Sequence, residues 1–128
     1  MSTKYRTLKT SSGTVFFLGR DENSNDILMR EFQGKSNVIL HTVMPGSPFC
    51  VIEDMDFSKK DLKEAAIVCA SKSQDWRNNK NSVYLHIFTG HQVAKPKGAK
   101  SGLWFIKSKP KEIKALKKDI EEYIKNKI

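Results

Sequence analysis

The stretch that decides the fold runs from Val38 to Ile52: Val38-Ile39-Leu40-His41-Thr42-Val43, then Pro45-Gly46, then Phe49-Cys50-Val51-Ile52. Two β-branched and apolar runs flank a Pro-Gly turn signal, which reads as two buried strands returning on each other. The residues before it repeat the theme. Tyr5 to Thr10 alternates weakly, Ser11-Ser12-Gly13 is a turn, and Thr14-Val15-Phe16-Phe17-Leu18 is a second strand ending at Gly19-Arg20. Asp21 to Asn25 is rich in helix N-cap residues; Ile27, Leu28 and Phe32 then share a helical face, with Gly34 placed as a C-terminal stop.

Beyond the central pair, Ser58-Lys59-Lys60-Asp61 is a capping-box start. Leu62, Ala65, Ala66, Cys69, Ser73 and Trp76 follow at helical spacing, predicting one helix that ends in the loop chemistry of Arg77 to Asn81. Val83 to Phe88 alternates as a strand, with Tyr84 and Phe88 on one face and Leu85 and Ile87 on the other; one of these faces is core. Leu103 to Ile106 reads as a last strand. Pro110 then opens a final helix, whose stripe is Ile113, Leu116, Ile120, Tyr123 and Ile124, flanked by Lys111, Lys114, Lys117, Lys118 and Lys125. The expected fold is α+β: one mixed, mainly antiparallel sheet with about three helices, the last C-terminal and Lys-rich. The expected organisation is a domain over residues 1–109, with a basic amphipathic helix over 110–128 packed on it or extending from it.

The length of 128 residues suits one domain with one core. No apolar run approaches the roughly 18 residues that span a bilayer, and Met1-Ser2-Thr3-Lys4-Tyr5-Arg6 lacks the apolar core of a signal peptide. Cys50 and Cys69 are the only cysteines and lack metal-ligand spacing, so they are expected to be reduced, buried thiols of a cytoplasmic protein. The formal charge of +9 is uneven: residues 1–20 carry +4, residues 21–94 carry −2 and residues 95–128 carry +7. Charge gathered at the two ends of the chain favours a polyanion-binding face. The bland alternative is a solvated basic surface.

Enzymatic chemistry finds no support. His41 and His86 lie in apolar strands, where a structural histidine is the default, and His91 opens a loop. No zinc-protease helix, nucleophile elbow, Walker loop or dinucleotide fingerprint occurs. Glu53, Asp54 and Asp56 lack the later ligands of a calcium loop. No metal or cofactor is expected. The informative segment is His91 to Gly102, in which Lys95, Lys97 and Lys100 interleave with Pro96, Gly98 and Gly102. Glycine lets backbone N–H groups approach an anion and lysine supplies charge, so the loop suits phosphates; a flexible basic hairpin loop without a ligand fits the same spacing. Trp104, Phe105, Tyr84 and Phe88 are candidates for stacking on bases, although most of them are expected to be packing residues.

Taken in order, Gly19-Arg20, Asn25-Asp26-Ile27-Leu28, Val38 to His41, Pro45 to Ile52, Glu64-Ala65-Ala66, Ala70 to Ser73 with Trp76, and Val93, Lys95, Lys97-Gly98 and Gly102 form a series. From about Tyr5 to Lys107 the chain resembles the NFACT-R domain, the RNA-binding module of NFACT proteins. The resemblance implies an RNA-binding, non-enzymatic role in ribosome-associated quality control or translation. The implied partners are tRNA, large-subunit rRNA or ribosomal particles, with no membrane partner; DNA stays open as a target, and the chain is read as a monomer or weak homodimer. The expected contacts are Arg20, His41, Lys95, Lys97, Gly98 and Lys100, with Lys and Arg on phosphates, Gly98 admitting the backbone, and His41 bonding a phosphate or 2′-OH. An adaptor role for the C-terminal helix is the alternative. The chain departs from the family pattern at Asp21, at Asn37 and Ile39 (where many members have Asp-x-Trp), and from Pro110 onward, where many members continue into a strand.

Overall fold

Apolar residues occupy both sides of the central strands, so both faces of the sheet need a cover. The computed structural model describes residues 4–126 and supplies both covers. Met1 to Thr3, where the leader reading began, and Lys127-Ile128, the end of the expected helix, lie outside the described residues. The main sheet has six strands in the order β1-β2-β4-β3-β5-β8, formed by β1 (Arg6–Lys9), β2 (Val15–Leu18), β3 (Val38–Thr42), β4 (Cys50–Ile52), β5 (Val83–Thr89) and β8 (Lys111–Ala115). Each of its strand pairings is antiparallel. A small ribbon of β6 (Val93–Ala94) and β7 (Phe105–Ile106) stands apart. The helices are α1 (Glu22–Phe32), α2 (Lys59–Ser71), α3 (Gln74–Asn79) and α4 (Lys117–Asn126). The expected α+β class and mainly antiparallel sheet are observed.

Alternation sorts the core into two halves. Leu40, Cys50, Ile52, Leu85 and Phe16 face Ala65, Ala66, Cys69 and Ile120 of α2 and α4. Ile39, Val51, Phe88 and Phe17 face Leu28, Met29 and Phe32 of α1, with Val93 of the ribbon closing that side. The expectation that one face of β5 is core is therefore widened: Leu85 and Phe88, on opposite faces, are both buried. Tyr84, on the Phe88 side, is 48% exposed, with the Lys114 ammonium 5.4 Å from its ring centroid.

The capping signals behave as read. Asp21 accepts from Ser24 N–H at 2.8 Å and Ser58 accepts from Asp61 N–H at 3.0 Å, each inside a reciprocal capping box. Asp61 also accepts from Thr10 and Thr14, both at 2.8–2.9 Å, which ties the β1–β2 turn to the start of α2. Cys50 and Cys69 are free and fully buried, and burial pushes the Cys69 thiol up to about 12.

Two expectations are corrected. The helix read through Trp76 breaks at Lys72, and Ser73, wholly buried, caps α3 by accepting from Trp76 N–H at 3.1 Å. The final helix does not begin at Pro110. Residues Lys111–Ala115 form β8, paired with β5 from Val83↔Ala115 to Ile87↔Lys111, and α4 starts only at Lys117. The departure inferred from Pro110 onward therefore disappears. Residues 111–115 thus join the main sheet as its edge strand. The apolar stripe of α4 is already used: Ile120 is fully buried, and Tyr123 and Ile124 pack on the same core. Leu116, 36% exposed, is the part of the stripe left outside the core.

Candidate nucleic-acid interface

The Lys-Gly-Pro segment is two β-turns in tandem. Ala99 N–H donates to the Pro96 carbonyl at 3.0 Å and Leu103 N–H to the Lys100 carbonyl at 3.1 Å. Gly98 and Gly102 occupy the third place of their turns with φ of 81° each, the sign that a type II turn requires and that other residues avoid.

Asp26, on the inward side of α1, holds this loop. Its carboxylate accepts from Gly102 N–H at 2.8 Å, Ser101 Oγ at 2.9 Å, Trp104 Nε1 at 2.9 Å and Lys95 Nζ at 3.2 Å. Burial alone would raise its pKa; the four donors outweigh burial and hold it down at about 2. Lys95 turns inward over the Trp104 ring, and also donates to the carbonyls of Lys100 at 2.8 Å and Leu103 at 3.1 Å. An ammonium has three donors, and all three are engaged. Lys95 therefore clamps the loop, leaving Lys97 and Lys100 as its exposed cations.

His41 lies in β3 against Phe49, ring centroids 4.3 Å apart. Its Nδ1 is 2.9 Å from the Thr42 carbonyl, which can only accept, so Nδ1 carries the hydrogen. Burial, with the neighbouring His86 adding to it, brings the pKa down to about 4. A neutral ring with Nδ1–H committed leaves Nε2 as an acceptor.

Two clefts meet at this end of the sheet. The first, of about 450 Å³, brings together Arg6 of β1, Arg20, Lys72 after α2 and Arg77 of α3, with Asp21 and Glu22 at one side. The second, of about 400 Å³, is walled by His41, Phe49, Phe88, Leu103, Trp104 and Ile106, with Lys100 at its edge. Glu22, Asn25, Gly46 and Ser47 line both, so the clefts adjoin. Lys97 and Gly98 border a third hollow with Arg30, Gln33 and Trp104, the last of which also lines the second cleft. The structure thus divides the predicted contacts: Arg20 belongs to the basic cleft, His41 and Lys100 to the apolar one, and Lys97 and Gly98 to the outer face of the loop.

Arg6, Lys72 and Arg77 were not among the residues read from sequence. They converge because the Pro45-Gly46 turn carries α3: Gln74 N–H donates to the Gly46 carbonyl at 2.8 Å. Gly46 has φ of 91°, and a Cβ there would come within 2.8 Å of Gln74 Cβ. Gly19 is needed for a closer approach, since a Cβ would fall 1.8 Å from Asn25 Oδ1. That oxygen accepts from Phe49 N–H at 3.0 Å and fixes α1 to the start of β4. Among the described residues no three His, Cys, Asp or Glu side chains gather as a metal site, and no helix is long and apolar enough to cross a membrane.

Compared with known families, residues 4–108 match the NFACT protein RNA-binding domain. The chain belongs to this family. The NFACT-R series read from Gly19 to Gly102 thus falls on the glycines, the Asn25 and Asp26 pair and the loop that build the clefts. A curated relative, the archaeal Rqc2 homolog aRqcH of Methanocaldococcus jannaschii, is 25% identical over 86 residues. The matched part is 66% of this chain but 13% of that protein, so this NFACT-R chain spans a small fraction of its relative. The solved C-terminal part of the fibronectin/fibrinogen-binding protein of Streptococcus suis superposes with a TM-score of 0.79 at 22% identity, covering 95% of this chain and 49% of that one. At that identity the likeness is one of fold.

Proposed function

We propose that this NFACT-R chain is an RNA-binding module, not an enzyme, that works in the cytoplasm in ribosome-associated quality control, on tRNA or large-subunit rRNA. The observation that carries the reading is the convergence of Arg6, Arg20, Lys72 and Arg77 on one cleft beside a second, apolar one. Cations on three separate elements, gathered on a concave surface, suit a phosphate backbone better than a general solvated surface does. Family membership and the Rqc2-type relative support RNA as the polyanion and quality control as the setting. In this reading Arg20 pairs with a phosphate in the basic cleft, and Lys97 and Lys100 extend the contact along the loop. Gly98 keeps the outer turn open to backbone approach, and Lys95 acts through the shape of the loop. The chain acts as a monomer or weak homodimer.

Fluorescence anisotropy with a labelled single-stranded RNA across a salt series tests this directly. Neutralising about 4 phosphates gives a log–log slope of roughly −3. A DNA strand of the same sequence is expected to bind more weakly. Co-sedimentation with large ribosomal subunits should fall for a chain carrying Arg6→Glu and Arg77→Glu. A flat salt response, or equal sedimentation of wild type and variant, would refute the reading.

A further inference from the structure

The apolar cleft lies next to the cations. The core on its side is closed by Phe88 and Val93, yet Leu103 remains 45% exposed on its rim. Its volume of about 400 Å³ falls within the ~300–1,000 Å³ of small-molecule pockets. We propose that this cleft takes one unpaired nucleobase of a bound RNA while the flanking phosphates lie in the adjoining basic cleft. This rests on the RNA-binding reading and narrows it to single-stranded or extruded nucleotides.

Three observations support the assignment. The walls are apolar and aromatic: Phe49 and Phe88 are nearly buried, while Leu103, Trp104 and Ile106 are the more open lining residues, and Trp104 is the ring a base can meet. The polar side chains on those walls offer both donors and acceptors: the Lys100 ammonium, the Asn25 amide and the Ser47 hydroxyl stand beside His41 and the Glu22 carboxylate. Finally, the cleft is concave and adjoins the basic one at Gly46 and Ser47, so a backbone lying along the basic cleft brings its base beside the apolar one. A base held in a duplex stack cannot reach into such a hollow.

The test uses the full chain and three pentaribonucleotides at one salt concentration: five uridines, the same strand with a central guanosine, and the same strand with a central abasic ribose. Binding is read by anisotropy and by tryptophan emission, which reports Trp104 at the cleft, since Trp76 is buried in the other core. The guanosine strand is expected to bind about tenfold tighter than the abasic strand, the low end of what one base–aromatic contact contributes. The uridine strand should fall between them. Leu103→Ala, at an exposed position that does not threaten folding, should shrink the guanosine advantage over the abasic strand. Equal, salt-dependent binding of guanosine and abasic strands overturns the base pocket and leaves RNA binding standing. Failure of all three strands to bind at any salt overturns both readings.

Discussion

Asp26 is the residue on which the loop depends. Four donors converge on one carboxylate that is itself 8% exposed. Removing it leaves the Lys95 ammonium, the Trp104 indole N–H and the Gly102 N–H without their acceptor. Breaking one side of such a buried charged pair costs about 3 kcal/mol. Asp26→Ala is therefore expected to lower the denaturation midpoint and to free residues 95–104, seen as faster amide exchange there than in the main sheet. His41 makes a prediction of opposite chemical character. Its folded pKa of about 4 lies below the ordinary 6.5, so the unfolded chain takes up a proton that the folded chain refuses. The stability tied to its neutral form is complete above about pH 6.5 and is lost as the pH falls toward 4, on the order of 2–3 kcal/mol. Denaturant titrations at pH 7 and pH 4.5 should show that loss in the wild type and a smaller one in His41→Phe. Asp26, with its depressed pKa, contributes only lower on the scale, where stability falls as the pH drops from about 4 through about 2.

At the scale of elements, the last 19 residues are the instructive case. The five residues of β8 alternate Lys111, Ile113 and Ala115 against Glu112 and Lys114. Ile113 is also spaced for a helix with Leu116 and Ile120, and Pro110 imitates a helix start, so both periods fit so short a stretch. What decides is tertiary: β5 has β3 on one side and would otherwise present its other edge to water. That information lies in residues 83–89, far from the segment it controls. The capped starts of α1 and α2 were readable because their signals are local, Asp21 with Ser24 and Ser58 with Asp61. The break at Ser73 carried the same kind of signal, hidden by Trp76 continuing the apolar spacing. A chain ending at Lys109 loses β8 from the sheet edge and Ala115 and Ile120 from the core. Losing several buried side chains at ~2–5 kcal/mol each for the larger ones exceeds most of the stability a small domain has. Such a truncation is expected to lose cooperative thermal unfolding by circular dichroism, rather than to leave a folded module without its tail.

For the whole molecule, the question is which part of the +9 charge reaches a ligand. The excess at the chain ends was visible in sequence, and so was the Lys-Gly-Pro composition of the loop. Where that charge lies was not, because folding redistributes it. Lys95 spends its charge on Asp26, while Lys72 and Arg77, from the nearly neutral middle of the chain, join Arg6 and Arg20 in one cleft. Lys117, Lys118 and Lys125 ride on α4, which packs with α2 on the face of the sheet opposite to α1 and the loop. At about 0.15 M salt charges are screened beyond ~8 Å, whereas at about 0.01 M they act over ~30 Å. Two sets of substitutions therefore separate contact from field. Arg6→Gln with Arg77→Gln removes two charges from the cleft; Lys117→Gln with Lys118→Gln removes two from the far helix. At 0.15 M the cleft pair should weaken RNA binding by about tenfold or more and flatten the salt slope by roughly 1 to 2, one phosphate contact for each charge lost. The helix pair should change affinity less than about threefold there and leave the slope nearly unaltered, because it contributes field and not contact. Near 0.01 M the two pairs should converge, as the far lysines come within reach of the bound phosphates. Equal losses for both pairs at 0.15 M would place the RNA on α4 instead, and the basic cleft would then be a feature of the fold's surface without a ligand.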